Sequence, residues 1–198
     1  MEEVIRSISD PELLTQIERV VPFHGYLSTG AFVGIQIYNI ARRELGFSEG
    51  ERLFVTCETF SCMPDAFQVL GGCTIGNKGL LIEDRGKMAA TFSRRAPKGA
   101  ARVEGVRVVL DPARTASYPR LHSWYMNTEK VPHEEAIRDL LRAGDGVYTI
   151  KAVTVEVAEK PKKRTAICED CGESFVLRRD ERLDRKSTRL NSSHGKLS

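Results

Sequence analysis

Apolar residues recur every three or four positions over two stretches near the N-terminus. Leu13, Ile17, Val20 and Val21 share one face and predict an amphipathic helix, with Ser9 and Glu12 at capping-box spacing and Pro11 suited to its first turn. Pro22 is expected to end that helix. Val33, Ile37, Ile40, Ala41 and Leu45 form a second stripe opposite Gln36, Asn39 and Arg43, and Gly46 is placed to stop it.

Beyond this the period shortens. Residues 53–58 read as a strand, and 65–70 as a short helix running into Gly71-Gly72. Residues 80–84 and 87–94 read as two strands joined as a hairpin around Arg85-Gly86. Residues 101–110 alternate in part and predict another strand. Pro132 opens a helix with Glu134 and Glu135 in its first turn and Arg138 and Arg142 later, an order that matches the helix dipole, and Gly144 closes it. Residues 147–157 complete the body as a strand. This order lacks regular βαβ alternation and predicts an α+β domain, a mixed or antiparallel sheet packed with helices.

Composition narrows the class. With 41% apolar residues in 198, the chain can bury a core, and no run approaches the ~18 apolar residues of a membrane-spanning helix. The opening MEEVIRSISDPE carries early acids and no apolar stretch, unlike a secretory signal, so a cytoplasmic protein is expected. Its five cysteines then read as metal ligands, reactive thiols or small buried residues rather than disulfides. The net charge of +3 is uneven. From Ala158 onward there are 11 Lys and Arg against 7 Asp and Glu, leaving 19 against 20 in residues 1–157. The body is therefore no basic platform for nucleic acid.

The composition also marks divisions: a domain over 1–157, a linker and half zinc finger over 158–183, and a tail over 184–198. The linker AEKPKKRTA leads into ICEDCGESF. The tail DRKSTRLNSSHGKLS has no apolar period and resembles translated sequencing-adapter read-through, which implies a native sequence cut near Leu183.

Several constellations could carry chemistry. Cys168 and Cys171, followed by Gly172, have the spacing of a zinc knuckle, and two cysteines supply half of a four-ligand zinc-ribbon or treble-clef site. A redox pair is the competing reading. The stretch GGCTIGNKG fails the phosphate-loop pattern, since Asn77 separates Gly76 from Lys78 and no Ser or Thr follows the lysine. It reads instead as a turn, with Asn77 and Gly79 at positive φ. Cys57, in an apolar strand, reads as core. Cys62 precedes Met63-Pro64-Asp65 at a strand-to-helix turn, where a helix N-terminus favours thiolate. Cys73 follows two glycines beyond that helix. His24 sits in the turn FHGYLSTGAFVG, where an imidazole can serve as metal ligand or proton shuttle. Histidine and thiolate converging from separate turns suit zinc or another divalent transition metal, with Asp65 capping its helix or orienting the imidazole. The predicted metal residues are thus His24, Cys62, Cys73, Cys168 and Cys171.

FHGYLSTGAFVG, then SCMPDAFQVLGGCTIGNKGL, then EDRGKMAATF resemble, in order, the E-subunit family of formylmethanofuran dehydrogenase. The likeness spans roughly residues 17–157, and CEDCGE resembles the zinc-finger appendage many members carry. The resemblance implies a metal-binding accessory protein of C1 or anaerobic redox metabolism. Its implied partners are the subunits of a molybdenum or tungsten oxidoreductase, and His24 and Cys62 are its best-placed metal residues. Tyr26, Ser28 and Thr29 replace the second histidine, the cysteine and the proline of the common form His-Gly-His-x-Cys-Pro-Gly, which leaves an open coordination sphere. A small accessory protein of this kind is expected to be a homodimer, with no membrane and no nucleic-acid partner. Two other functions compete: an adaptor binding nucleic acid or protein through the knuckle and KPKKR, and a metal chaperone or sensor using the paired cysteines.

Overall fold

The computed structural model describes residues 1–48, 50–157, 164–168 and 171–177. The chain divides into two units, Met1–Val157 and Ala158–Ser198. The first is built on a five-stranded sheet of β1 (Leu53–Cys57), β2 (Leu80–Ile82), β3 (Ala89–Arg94), β4 (Arg102–Leu110) and β5 (Tyr148–Glu156), in the order β2-β1-β3-β4-β5. β2 runs parallel to β1 and every other pairing is antiparallel, so the sheet is mixed and the domain is α+β.

The expected hairpin around Arg85-Gly86 does not form, because β1 lies between β2 and β3. The turn itself is real: Gly86 has φ +64° and donates its N–H to Asp84 Oδ1 at 3.1 Å. What it does is carry the chain across the end of β1. Arg85 and Lys87 donate backbone N–H groups to the Glu58 carbonyl at 2.9 and 3.1 Å.

The helices are α1 (Glu2–Arg6), α2 (Pro11–His24), α3 (Thr29–Leu45), α4 (Met63–Gly71), α5 (Pro112–Thr115), α6 (Pro119–Tyr125) and α7 (His133–Ala143). Among the described residues, no helix is long and apolar enough to cross a membrane. α3 packs against β3 and β4, α4 against β1, and α2 and α7 against α3. Leu53, Val55, Phe92, Val106, Val108 and Leu110 supply the buried face of the sheet, and Phe67 of α4 meets Phe92 edge-on with centroids 5.0 Å apart. α4 lies so close to α3 that a Cβ on Gly34 would stand 2.4 Å from the Met63 carbonyl oxygen. Only glycine fits there.

Two helix ends differ from expectation. Asp10, not Ser9, caps α2, its carboxylate accepting Glu12 and Leu13 N–H groups at 2.9 and 3.3 Å. Pro22 lies inside α2 rather than ending it. It forfeits one backbone bond, but the last turn closes around it, Gly25 donating to Val21 O at 2.7 Å with φ +101°. The glycine loop also differs in detail. Lys78 takes the left-handed conformation, while the Asn77 side chain accepts the Thr74 and Gly79 N–H groups and donates to Gly72 O.

In the second unit, β6 (Arg164–Ile167) pairs antiparallel with β7 (Ser174–Leu177). Most of the linker, the tail 184–198 and His194 lie outside the described residues.

Candidate metal centre

The passage of α2 through Pro22 decides where His24 stands. As the last residue of α2, before Gly25 turns the chain, His24 faces the first turn of α4. Its Nδ1 lies 2.6 Å from Asp65 Oδ2. A carboxylate only accepts, so Nδ1 carries a proton, and in the neutral imidazole Nε2 keeps its lone pair. That Nε2 is buried and has no hydrogen-bond partner. Gln68 steadies the other carboxylate oxygen at 3.4 Å. Of the two roles expected for Asp65, orienting the imidazole is the one seen.

Cys62 occupies the N-cap position of α4, one turn before Asp65, and its carbonyl accepts the Asp65 N–H at 3.3 Å. It is half-buried, and a Cβ on Gly30 in the first turn of α3 would lie 3.1 Å from its own Cβ. The starts of α3 and α4 thus meet at this thiol. Phe23, Tyr26 and Phe60, each within three residues of His24 or Cys62, are exposed.

His133 carries no motif that singles it out in the sequence. It is the first residue of α7, and its Nδ1 lies 3.2 Å from Thr29 N and 2.8 Å from Thr29 Oγ1. The Tyr26 ring packs near two imidazoles, with centroids 5.1 Å from His24 and 5.7 Å from His133. No sequence signal joins residues so far apart; only the packing of α7 on α3 does.

Cys73 stands at the opposite end of α4, about 13 Å along a nine-residue helix. Its thiol donates to the Gly71 and Leu53 carbonyls at 3.3 and 3.6 Å, and burial pushes it up to about 11. Cys57 is fully buried, bonded to Thr59 O, and likewise pushed up to about 11 by burial. Both are core thiols by environment.

Cys168 follows β6 and is buried, while Cys171 is exposed. The turn between them closes through Gly172 N–H to Cys168 O at 3.0 Å, with Gly172 at φ +72°. The Glu173 backbone pulls the Cys171 thiol down, but its hydrogen bond with Cys168, desolvation and nearby negative charge outweigh this, so its pKa is raised. Among the described residues, no three histidine, cysteine or acidic side chains gather as a metal set. Neither His24 with Cys62 nor Cys168 with Cys171 belongs to such a set. An imidazole whose Nδ1–H is held by a carboxylate and whose Nε2 lacks a partner fits a borderline metal ion.

Known proteins share this architecture. The chain is similar to a solved FmdE-like protein of the tungsten formylmethanofuran dehydrogenase type from Syntrophus aciditrophicus, at 27% identity and a TM-score of 0.69 over 87% of this chain and 88% of that one. It is 26% identical over 183 residues to a probable S-adenosyl-L-methionine-binding protein of Archaeoglobus fulgidus. That match covers 81% of this chain, which spans about half (49%) of the relative's length. The model of the FmdE family, described as molybdenum formylmethanofuran dehydrogenase operon, matches residues 23–156, and the chain belongs to that family.

Proposed function

We propose that the protein is a metal-binding accessory subunit that holds zinc or another divalent transition metal through His24 Nε2 and Cys62. One observation carries this reading: a buried, unpartnered Nε2 on an imidazole fixed at 2.6 Å by Asp65. Leaving such a nitrogen unpaired costs about 1–3 kcal/mol, which a bound ion would recover. The remaining positions would go to solvent or a partner, an open rather than closed centre. Cys73 is left out, being engaged at the other end of α4. Bound there, the metal would act as a Lewis acid, while Asp65 keeps the imidazole in its ligating tautomer.

Family membership supports a partner of the formylmethanofuran dehydrogenase type, a molybdenum or tungsten oxidoreductase, in the cytoplasm. The appendage reads as half of a zinc site at Cys168 and Cys171. A homodimer is part of the same reading. β5, a nine-residue outer strand bonded to β4 alone among the described strands, offers an edge that a second copy can pair with.

The test is metal stoichiometry by elemental mass spectrometry after zinc loading, in a Cys168→Ser/Cys171→Ser background that silences the appendage. One equivalent is expected, lost in His24→Ala and in Cys62→Ser. Full retention in both variants overturns the proposal.

A further inference from the structure

We infer that His133 is a positioning residue for the His24–Cys62 centre, acting through the cap it places on α3 and through Tyr26. In consequence this rests on the metal-centre reading; in geometry it does not.

The first backbone N–H of a helix has no partner within the helix. In α3, Ser28 Oγ takes the N–H of Ala31 at 3.1 Å, and the N–H of Thr29 goes to His133 Nδ1 at 3.2 Å. An imidazole nitrogen that accepts a backbone N–H has a lone pair there, so neutral His133 carries its proton on Nε2. The Thr29 hydroxyl, 2.8 Å from the same Nδ1, is a second donor to it. His133 thus pins the beginning of α7 to the beginning of α3. The turn Gly25–Ser28 leads from α2 into α3, and His24 is the residue on its other side. Tyr26, in ring contact with both imidazoles, transmits the placement. If His133 withdraws, Tyr26 loses one wall, and His24 loses the packing that supplements Asp65 in aiming Nε2.

Around His133 stand Glu134 of its own helix, ion-paired with the Met1 ammonium of the α1 segment at 3.0 Å, and Tyr26 of the turn. Behind Tyr26 stands the His24–Asp65 pair, and α3 presents the uncharged Thr29.

The test compares His133→Phe, which removes the acceptor, with His133→Asn, whose carbonyl can stand near Nδ1 and accept in its place. Both are made in the full chain with Cys168→Ser/Cys171→Ser and titrated with Co2+ alone, read by its visible absorption. His133→Phe is expected to weaken binding at least tenfold. His133→Asn is expected to stay within about threefold of the parent. Equal affinity in all three proteins overturns the inference. So does equal weakening in both variants, which marks a merely structural residue. If the parent itself takes up no Co2+, the metal reading fails, and the positioning is judged on metal-free protein by imidazole nitrogen NMR. His24 signals should then shift in His133→Phe and remain in place in His133→Asn; unchanged His24 signals in both overturn it.

Discussion

His24 Nδ1 and Asp65 Oδ2 meet at 2.6 Å across 41 positions of sequence, joining the end of α2 to the first turn of α4. The bond leaves Asp65 one-quarter exposed and His24 nearly enclosed, so the carboxylate works from the rim and the imidazole from within. Its main effect is on direction: it decides which nitrogen is free.

Removing that carboxylate separates orientation from folding. Asp65→Ala is expected to lower metal affinity about 10–100-fold, the usual effect of deleting an outer carboxylate partner. Stability should fall by about 1–3 kcal/mol, because the nearly enclosed His24 Nδ1–H loses its acceptor and α4 loses a charge at its N-terminus. Co2+ titration and thermal unfolding of one preparation check both. A large loss of stability with unchanged affinity would refute the assignment.

The thiols sort by environment. Burial holds Cys57 and Cys73 at about 11, so near pH 8 only about one in a thousand of each is thiolate. Their sulfurs are also engaged by backbone carbonyls. Both should stay silent to a thiol-specific reagent in the native protein and react on unfolding, whereas half-buried Cys62 and exposed Cys171 react first. Mass spectrometry of the labelled peptides identifies them. Fast native labelling of Cys73 would refute its place in the core.

The sequence shows much of this, and unevenly. The stripes of α2 and α3 announce their helices because each buries one face, the charge order announces α7, and Asp65 is readable as a partner for the histidine. The pairing of β1 between β2 and β3 is not, since the turn at Arg85-Gly86 has the same local chemistry whether the chain returns beside β2 or crosses over β1. Pro22 misleads for a related reason: its cost is one hydrogen bond, which the last turn of a packed helix can bear. His133 is invisible because its role depends wholly on the docking of α7 against α3. Local pattern reports burial; it does not report which distant element supplies the burying surface.

Glu58 and Arg107 form a two-pronged ion pair at 2.6 and 3.0 Å, with the carboxylate side chain only 6% exposed. Arg107, through these hydrogen bonds, holds the Glu58 carboxyl below its usual range. A depressed carboxylate contributes stability at pH above its unfolded value, about 4.3, and that contribution is lost as pH falls through the lower folded value. Glu58→Ala should therefore cost about 3 kcal/mol at pH 7, leaving Arg107 unpaired in its half-buried place. The difference from the parent should shrink below about pH 4. Urea unfolding at a series of pH values measures this, and a pH-independent difference would assign the loss to packing alone.

Two glycines on one face of α3 make the last test, because the same substitution should have opposite consequences four residues apart. Alanine favours a helix over glycine by about 1 kcal/mol, so either change begins with a gain. At Gly34 the new Cβ would stand 2.4 Å from the Met63 carbonyl oxygen and 2.9 Å from the Ala66 Cβ. The carbonyl belongs to the backbone of α4 and cannot swing aside, so the two helices must separate. The overpacking cost, about 1–3 kcal/mol or more, exceeds the gain. At Gly30 the nearest atom is the Cys62 Cβ at 3.1 Å, and the next is its sulfur at 3.7 Å. A shift of a few tenths of an ångström relieves that contact and is borne by the thiol at the start of α4. Gly34→Ala is therefore expected to destabilise the fold, with a lowered melting temperature and metal affinity following the folded fraction. Gly30→Ala should melt within a few degrees of the parent yet bind Co2+ more weakly, with an altered thiolate-to-metal absorption band. If Gly30→Ala left both the band and the affinity untouched, Cys62 would not be a ligand in this centre.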